Sequence, residues 1–270
     1  MESLPRSPWL LGLLLALVIV EALWRRRTRR SYDLRAAGAS FGIAAGNVLL
    51  KPFTGAIIAI VYLGAETLTP VHLPMSDWRV WVAGFFAVEF AYYWFHRWSH
   101  TVRWLWASHA VHHSANEFTL PAAIRLGWTS LISGGWLIFL PLVLAGFSPA
   151  MITIMLAANL TFQFFLHTEA VGRLGPLEWV FNTPQHHRVH HASNEQYLDR
   201  NFGGVLIIYD RMFGTFAASD PSEPIRYGLT TPQHSRNPLV IALDEWRKLF
   251  IEMAQEKSWK QRLAIAFGRP

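Results

Sequence analysis

The 270-residue sequence contains no cysteine. Disulfides, thiolate metal sites and iron–sulfur clusters are therefore excluded. Charge is scarce. Asp, Glu, Lys and Arg together make up 16% of the residues, against about a quarter in ordinary soluble domains. There is no internal repeat, no low-complexity tract, no nucleic-acid-binding motif and no HExxH. The lack of HExxH weighs against a zinc-dependent membrane hydrolase, whose site ordinarily includes a carboxylate ligand or base. The net charge of +6 could suggest nucleic acid. The basic residues instead sit beside apolar runs, as membrane-flanking charges do.

What is abundant is apolar. Hydrophobic residues reach 52%, with 13 Trp and 18 Phe. This composition predicts an integral membrane protein. Residues 9–24 form a first apolar run, followed by Arg25-Arg26-Arg27-Thr28-Arg29-Arg30. A cleaved signal peptide carries its positive charge before the apolar run, so a retained span ending in the cytoplasm is expected. Residues 38–65 are a second apolar stretch, interrupted by Lys51-Pro52, which fits either one bent span or two half-spans. Residues 80–95 are the next span. Residues 129–147 and 150–168 read as a helical hairpin turned at Gly146-Phe147-Ser148-Pro149. Leu243 to Glu256 has amphipathic helical spacing, and the basic stretch after it suits a membrane surface.

The twelve histidines are not scattered. Eight fall into His96-Arg97-Trp98-Ser99-His100, His109-Ala110-Val111-His112-His113 and His187-Arg188-Val189-His190-His191. On helices, residues three and four apart share a face. Imidazole suits zinc, iron, copper and nickel, and one such ion takes about four to six ligands. Eight imidazoles therefore predict two ions with open positions. Asn159, Gln163 and His167 form a polar stripe on an otherwise apolar helix, which makes His167 a ninth ligand candidate. Glu89 lies inside the 80–95 span on the face of His96 and His100. It is expected to hold a ligand imidazole by its outer nitrogen. His186 breaks the third motif's pattern and is expected beside the metals. His72 reads as an ordinary loop residue.

Counting sides from the arginine run, all three clusters and His167 emerge on the cytoplasmic face, and His72 on the other. The expected fold is all-α: an integral-membrane helical bundle with a cytosolic helical cap carrying a histidine-rich dimetal site. Three regions are expected: N-terminal membrane helices (1–79), the histidine-motif region (80–245) and a C-terminal amphipathic tail (246–270). A metal transporter would want its ligands near the bilayer midplane, which this arrangement does not offer.

HX3H…HX2HH…HX2HH in a multi-span chain resembles the fatty acid hydroxylase and sterol desaturase superfamily, and within it the ether-lipid-cleaving branch. The run Phe90-Ala91-Tyr92-Tyr93-Trp94-Phe95-His96-Arg97 looks like that branch's first motif. Residues 161–216 resemble it further, through His167-Thr168-Glu169, Leu174-Gly175-Pro176-Leu177-Glu178, Asn182-Thr183-Pro184 and Phe213-Gly214-Thr215-Phe216. The resemblance implies a non-haem di-iron monooxygenase that acts on a membrane lipid with dioxygen. It implies ligands at His96, His100, His109, His112, His113, His167, His187, His190 and His191, with Glu89, Gln163, His186 and Asn194 supporting them. It also implies an external electron donor, tetrahydrobiopterin in the ether-lipid branch or else a donor protein. The alternative within the superfamily is a sterol or carotenoid hydroxylase or desaturase.

Overall fold

A computed structural model describes residues 8–270. The first seven residues of the expected N-terminal membrane region lie outside the described residues. Among the described residues the architecture is helical, with only two isolated antiparallel bridges, Phe181 with Leu206 and Ala192 with Tyr227.

Helix α1 runs Pro8–Arg27 and α2 runs Leu34–Glu66. The Asp33 side chain caps α2 by accepting the Arg35 and Ala36 N–H groups, at 2.8 and 3.1 Å. Of the two possibilities for 38–65, the structure has one continuous helix with Pro52 inside it. At 33 residues it is about 50 Å long, well beyond the ~30 Å hydrocarbon core of a bilayer. Its N-terminal turns therefore belong to the cap. There Ala39 and Ile43 pack with Val111, Trp128 and Ile241. Almost none of its apolar window is buried, whereas Leu49 and Phe53 are 71% and 72% exposed. Each such side chain left in water forgoes about 1.5–3 kcal/mol, so this surface is built for lipid.

Helix α3 spans Trp78–Thr101, and α4 spans Arg103–His113. One extended residue, Val102, separates them and turns α4 back beside the end of α3. Short helices α5 (Leu120–Ala123), α6 (Ser130–Ser133) and α7 (Leu140–Leu144) follow, then α8 (Pro149–Leu166). The expected hairpin is only half regular. Its second arm is α8, capped by Ser148. Its first arm is broken at Gly134, whose left-handed φ of 75° ends one helical piece and starts a 3-10 turn at Gly135–Phe139. Two of these helices, α2 and α8, are long and apolar enough to cross a membrane. Helices α3, α7 and α8 enclose the main apolar core through Val88, Tyr92, Val143, Met151 and Ile152.

The cap continues with α9 (Pro184–His190), α10 (Ile208–Met212), α11 (Pro238–Gln255) and α12 (Trp259–Phe267). Helix α11 runs through the expected boundary at residue 245. It lies against α4, with Trp246 and Leu249 packed on Ala107 and Trp104. The amphipathic face read from sequence thus packs on protein, closing over the histidine-bearing helix.

Candidate metal centre

The two HX2HH motifs fall on α4 and α9, the HX3H motif ends α3, and His167 follows the last turn of α8. The four elements bring nine histidines into two groups. His96, His100, His109, His113 and His190 form the first, and His112, His167, His187 and His191 the second. Within each group the candidate ligand atoms lie within 4.8 Å of one another. The division follows helix geometry. On α4, His109 and His113 are one turn apart and enter the first group, while His112 points to the second. On α9 the roles exchange: His187 and His191 enter the second group and His190 the first. Adjacent histidines of an HH pair diverge by about 100° around the helix, so each HX2HH motif serves both groups.

The outer nitrogens set the tautomers. His96 Nδ1 lies 2.7 Å from the Phe202 carbonyl, His167 Nδ1 2.7 Å from the Gln163 carbonyl, and His190 Nδ1 2.9 Å from the Arg200 carbonyl. A carbonyl only accepts, so each Nδ1 carries the proton and each Nε2 presents a lone pair inward. His96 Nε2 then stands 3.1 Å from His109 Nε2, and His167 Nε2 stands 3.2 and 3.1 Å from the Nε2 atoms of His112 and His187. With a metal–nitrogen bond of about 2.1 Å, neighbouring ligand atoms of an octahedron stand about 3.0 Å apart and those of a tetrahedron about 3.4 Å. The observed separations fall in this range. The buried Nε2 atoms of His100, His190 and His191 have no hydrogen-bond partner, which is costly unless a cation meets them. Burial, and then the neighbouring imidazoles, push His109, His112, His113, His187, His190 and His191 well below the ordinary histidine value of 6.5. They are held neutral, the form that ligates a metal. The residues therefore fit a pair of metal ions. Among the described residues, no carboxylate belongs to either group. His72 belongs to neither.

Of the four expected supporting residues, only Gln163 hydrogen-bonds a histidine of either group. Glu89 touches no histidine. Its Oε1 accepts the Asn159 amide, and its Oε2 accepts Val205 N–H at 2.8 Å and Leu206 N–H at 3.1 Å. It ties α3 and α8 to the loop before α10. Gln163 meets His167 through its backbone carbonyl, while its side chain joins Asn159 and the Tyr92 hydroxyl. Asn194 bridges the Pro224 carbonyl and the Arg226 N–H, pinning one loop to another. His186 belongs to neither group and sets its ring against Phe216, 5.3 Å between centroids. It precedes His187 by one position and so points about 100° away from it around α9.

The positioning groups absent from the sequence reading are in the 199–215 loop. Asn201 is fully buried with φ +58°. Its amide donates to the His186 and Ala217 carbonyls and accepts the Ala217 N–H. Asp210 accepts the Phe202 and Gly203 N–H groups, both at 2.7 Å, and the Thr215 hydroxyl. Together they fix the Arg200 and Phe202 carbonyls that hold His190 and His96. The left-handed Asn201 was the available signal, since asparagine tolerates that conformation better than most residues.

An all-helical chain with two membrane-length apolar helices and paired, histidine-only candidate metal sites is the class these observations define. Residues 81–215, half of the chain, match the fatty acid hydroxylase family. The chain belongs to that family. It is 34% identical over 264 residues to alkylglycerol monooxygenase of Homo sapiens, covering 98% of this chain and 58% of that protein. It is 47% identical over 157 residues to alkylglycerol monooxygenase of Danio rerio, covering 58% of this chain and 34% of that one. It is 29% identical over 204 residues to the ornithine lipid hydroxylase OlsE of Rhizobium tropici, covering 73% of this chain and 60% of that one. The chain thus spans about a third to three fifths of the length of these relatives. No solved structure matches it.

Proposed function

We propose that this chain is a membrane-embedded di-iron monooxygenase that hydroxylates a lipid C–H bond beside an ether oxygen. The observation that carries this reading is the pair of histidine-only groups in which nine neutral imidazoles converge. All nine are proposed as ligands. Iron is favoured over zinc because neither group includes a carboxylate to serve a hydrolytic water. When bound, the two irons would supply dioxygen activation and an oxidant for an unactivated C–H bond. The reaction balances with one oxygen atom entering the C–H bond, and the other leaving as water with two external electrons and two protons. The product next to an ether oxygen is a hemiacetal, which separates into a fatty aldehyde and an alcohol. The protein's part is to hold the imidazoles in one tautomer, through the carbonyls of Gln163, Arg200 and Phe202. It also keeps water out beneath α11.

The ether-lipid substrate is supported by the likeness to the two alkylglycerol monooxygenases, and tetrahydrobiopterin is the donor this reading expects. The likeness to an ornithine lipid hydroxylase supports a second reading, hydroxylation of a lipid without cleavage. We place the metal centre on the cytoplasmic face, because the arginine run at the end of α1 follows the positive-inside rule. Residues 1–79 would serve as membrane helices, 80–245 as the oxygenase region and 246–270 as an amphipathic end.

The test is to supply an alkylglycerol and oxygen to membranes containing the protein, with either tetrahydrobiopterin or a reduced ferredoxin. Fatty aldehyde released only with the pterin supports the reading. No aldehyde with either donor, in a preparation holding its iron, overturns the ether-lipid substrate.

A further inference from the structure

Outside the metal centre lies a cavity of about 270 Å³, between the Gly175–Trp179 turn, the start of α9 and the end of α10. Its walls include Arg173, Glu178, Trp179, His186, Arg211 and Phe216. The Arg211 guanidinium lies 3.8 Å from the Phe216 ring centroid and 5.0 Å from that of Trp179. Arg211 thus already occupies a face of each aromatic wall, and a flat heterocycle would have to displace it. What the walls offer instead is positive charge without a carboxylate partner; among the described residues Arg211 donates only to the Glu178 carbonyl, at 3.2 Å. Neither Arg173 nor Arg211 forms an ion pair among the described residues. Arg211 Nε and His186 Nδ1 are buried without a partner. Glu178 is the one carboxylate on the wall, and its Oε1 is committed to the Leu174 N–H at 2.9 Å. The volume is below the about 300–1,000 Å³ of drug-sized pockets. A small oxyanion suits it, since guanidinium forks match phosphate oxygens.

Exposed apolar side chains flank the cavity: Trp179 on its wall, and Leu177 and Met212 next in sequence to the wall residues Glu178 and Arg211. Leu177, Trp179 and Met212 are 54%, 68% and 68% accessible. Helix α10, which carries Arg211, is fastened to α3. The Tyr209 hydroxyl, on α10, donates to the Phe86 carbonyl at 2.9 Å. Phe86 precedes His96 by ten residues, which is about 15 Å along α3. Tryptophan and arginine beside such a surface are what a membrane interface selects. We propose that the cavity holds the phosphate of a glycerophospholipid, with Arg173 and Arg211 as its cations, and with Trp179 and Met212 in the bilayer beside it. This does not depend on the oxygenase reading.

Free phosphate would satisfy the same arginines, so the experiment separates the two sources. The full chain in non-ionic detergent is titrated calorimetrically with dihexanoyl phosphatidic acid, dihexanoylglycerol and inorganic phosphate. Phosphatidic acid should bind at least tenfold more tightly than either of the others. Arg211→Gln and Arg173→Gln should each weaken it roughly tenfold, as loss of a charge-assisted hydrogen bond does. Helix content should stay unchanged, and Lys260→Gln should leave affinity unchanged. Arg173 is exposed, so its variant remains informative if Arg211→Gln fails to fold. Equal, arginine-dependent binding of phosphatidic acid and inorganic phosphate would overturn the lipid source and leave a soluble-oxyanion site. Equal affinity for dihexanoylglycerol, or unchanged affinity in Arg173→Gln, would overturn the site itself.

Discussion

Glu89 is 1% exposed and meets three donors and no acceptor: the Asn159 amide, Val205 N–H and Leu206 N–H. Glu89→Ala would leave these N–H groups without their acceptor. At about 1–3 kcal/mol for each of the two buried donors, and less for the half-buried Val205, the loss is about 3–7 kcal/mol. Glu89→Gln is gentler. Its carbonyl can still accept the two backbone N–H groups, but its amide nitrogen then faces the Asn159 amide nitrogen, donor against donor. Reversing the Asn159 and Gln163 amides relieves this, because the chain ends on the Tyr92 hydroxyl, which can accept. The expected cost is about 1–2 kcal/mol. Because Val205 and Leu206 continue from the Phe202 whose carbonyl holds His96, bound iron should fall in the same order. Thermal unfolding in detergent and iron content check this, with wild type above Glu89→Gln above Glu89→Ala. A Glu89→Ala protein with unchanged midpoint and iron content would refute the reasoning.

Single-histidine variants should report on the two groups separately. His100→Ala and His187→Ala should each lower metal content by about one ion per chain, as loss of a ligand does in an open site, while His186→Ala keeps both; a full complement in His187→Ala would contradict the grouping. Low pH should destabilise the metal-free protein. Imidazoles held below 6.5 bind protons more readily when unfolded, so their contribution is complete above that pH. It shrinks as pH falls toward the folded value, about 4 for His186, by about 1.4 kcal/mol per pH unit per group; a flat midpoint from pH 7 to 5 would count against buried neutral imidazoles. Reporters after residue 30, after residue 115 and at the C-terminus should read one side of the membrane and one near residue 72 the other. Opposite sides for residues 30 and 115 would break the topology.

Local periodicity made much of the centre legible. HX3H and HX2HH on helices bring imidazoles onto adjoining faces, and the Asn159–Gln163–His167 stripe marks α8's polar side. What stayed hidden depends on contacts distant in sequence. Periodicity does not say that His112 and His113 serve different groups, because that depends on where α9 and α8 stand around α4. The atoms that fix the ring tautomers are backbone carbonyls of residues 200 and 202, which no side-chain motif reveals. Glu89 was found as functional-looking but given the wrong contact, since its true partners, Val205 and Leu206, are more than a hundred positions away. The broken arm at 130–144 has a helix-compatible composition, and Gly134 in its left-handed conformation overrides it. Glu21 is the one charged residue inside the apolar run 9–24. It accepts the Leu120 N–H and the Thr168 hydroxyl, fastening α1 to the cap beside His167.

The central claim is that the nine histidines form two metal sites rather than one. The direct measurement is anaerobic titration of the purified, metal-stripped chain with ferrous ion, read by bound iron and by the appearance of a coupled di-iron signal in Mössbauer spectra after exposure to oxygen. Two ions per chain with a coupled signal is the predicted result. Saturation at one ion per chain, with only an isolated-iron spectrum, would contradict it.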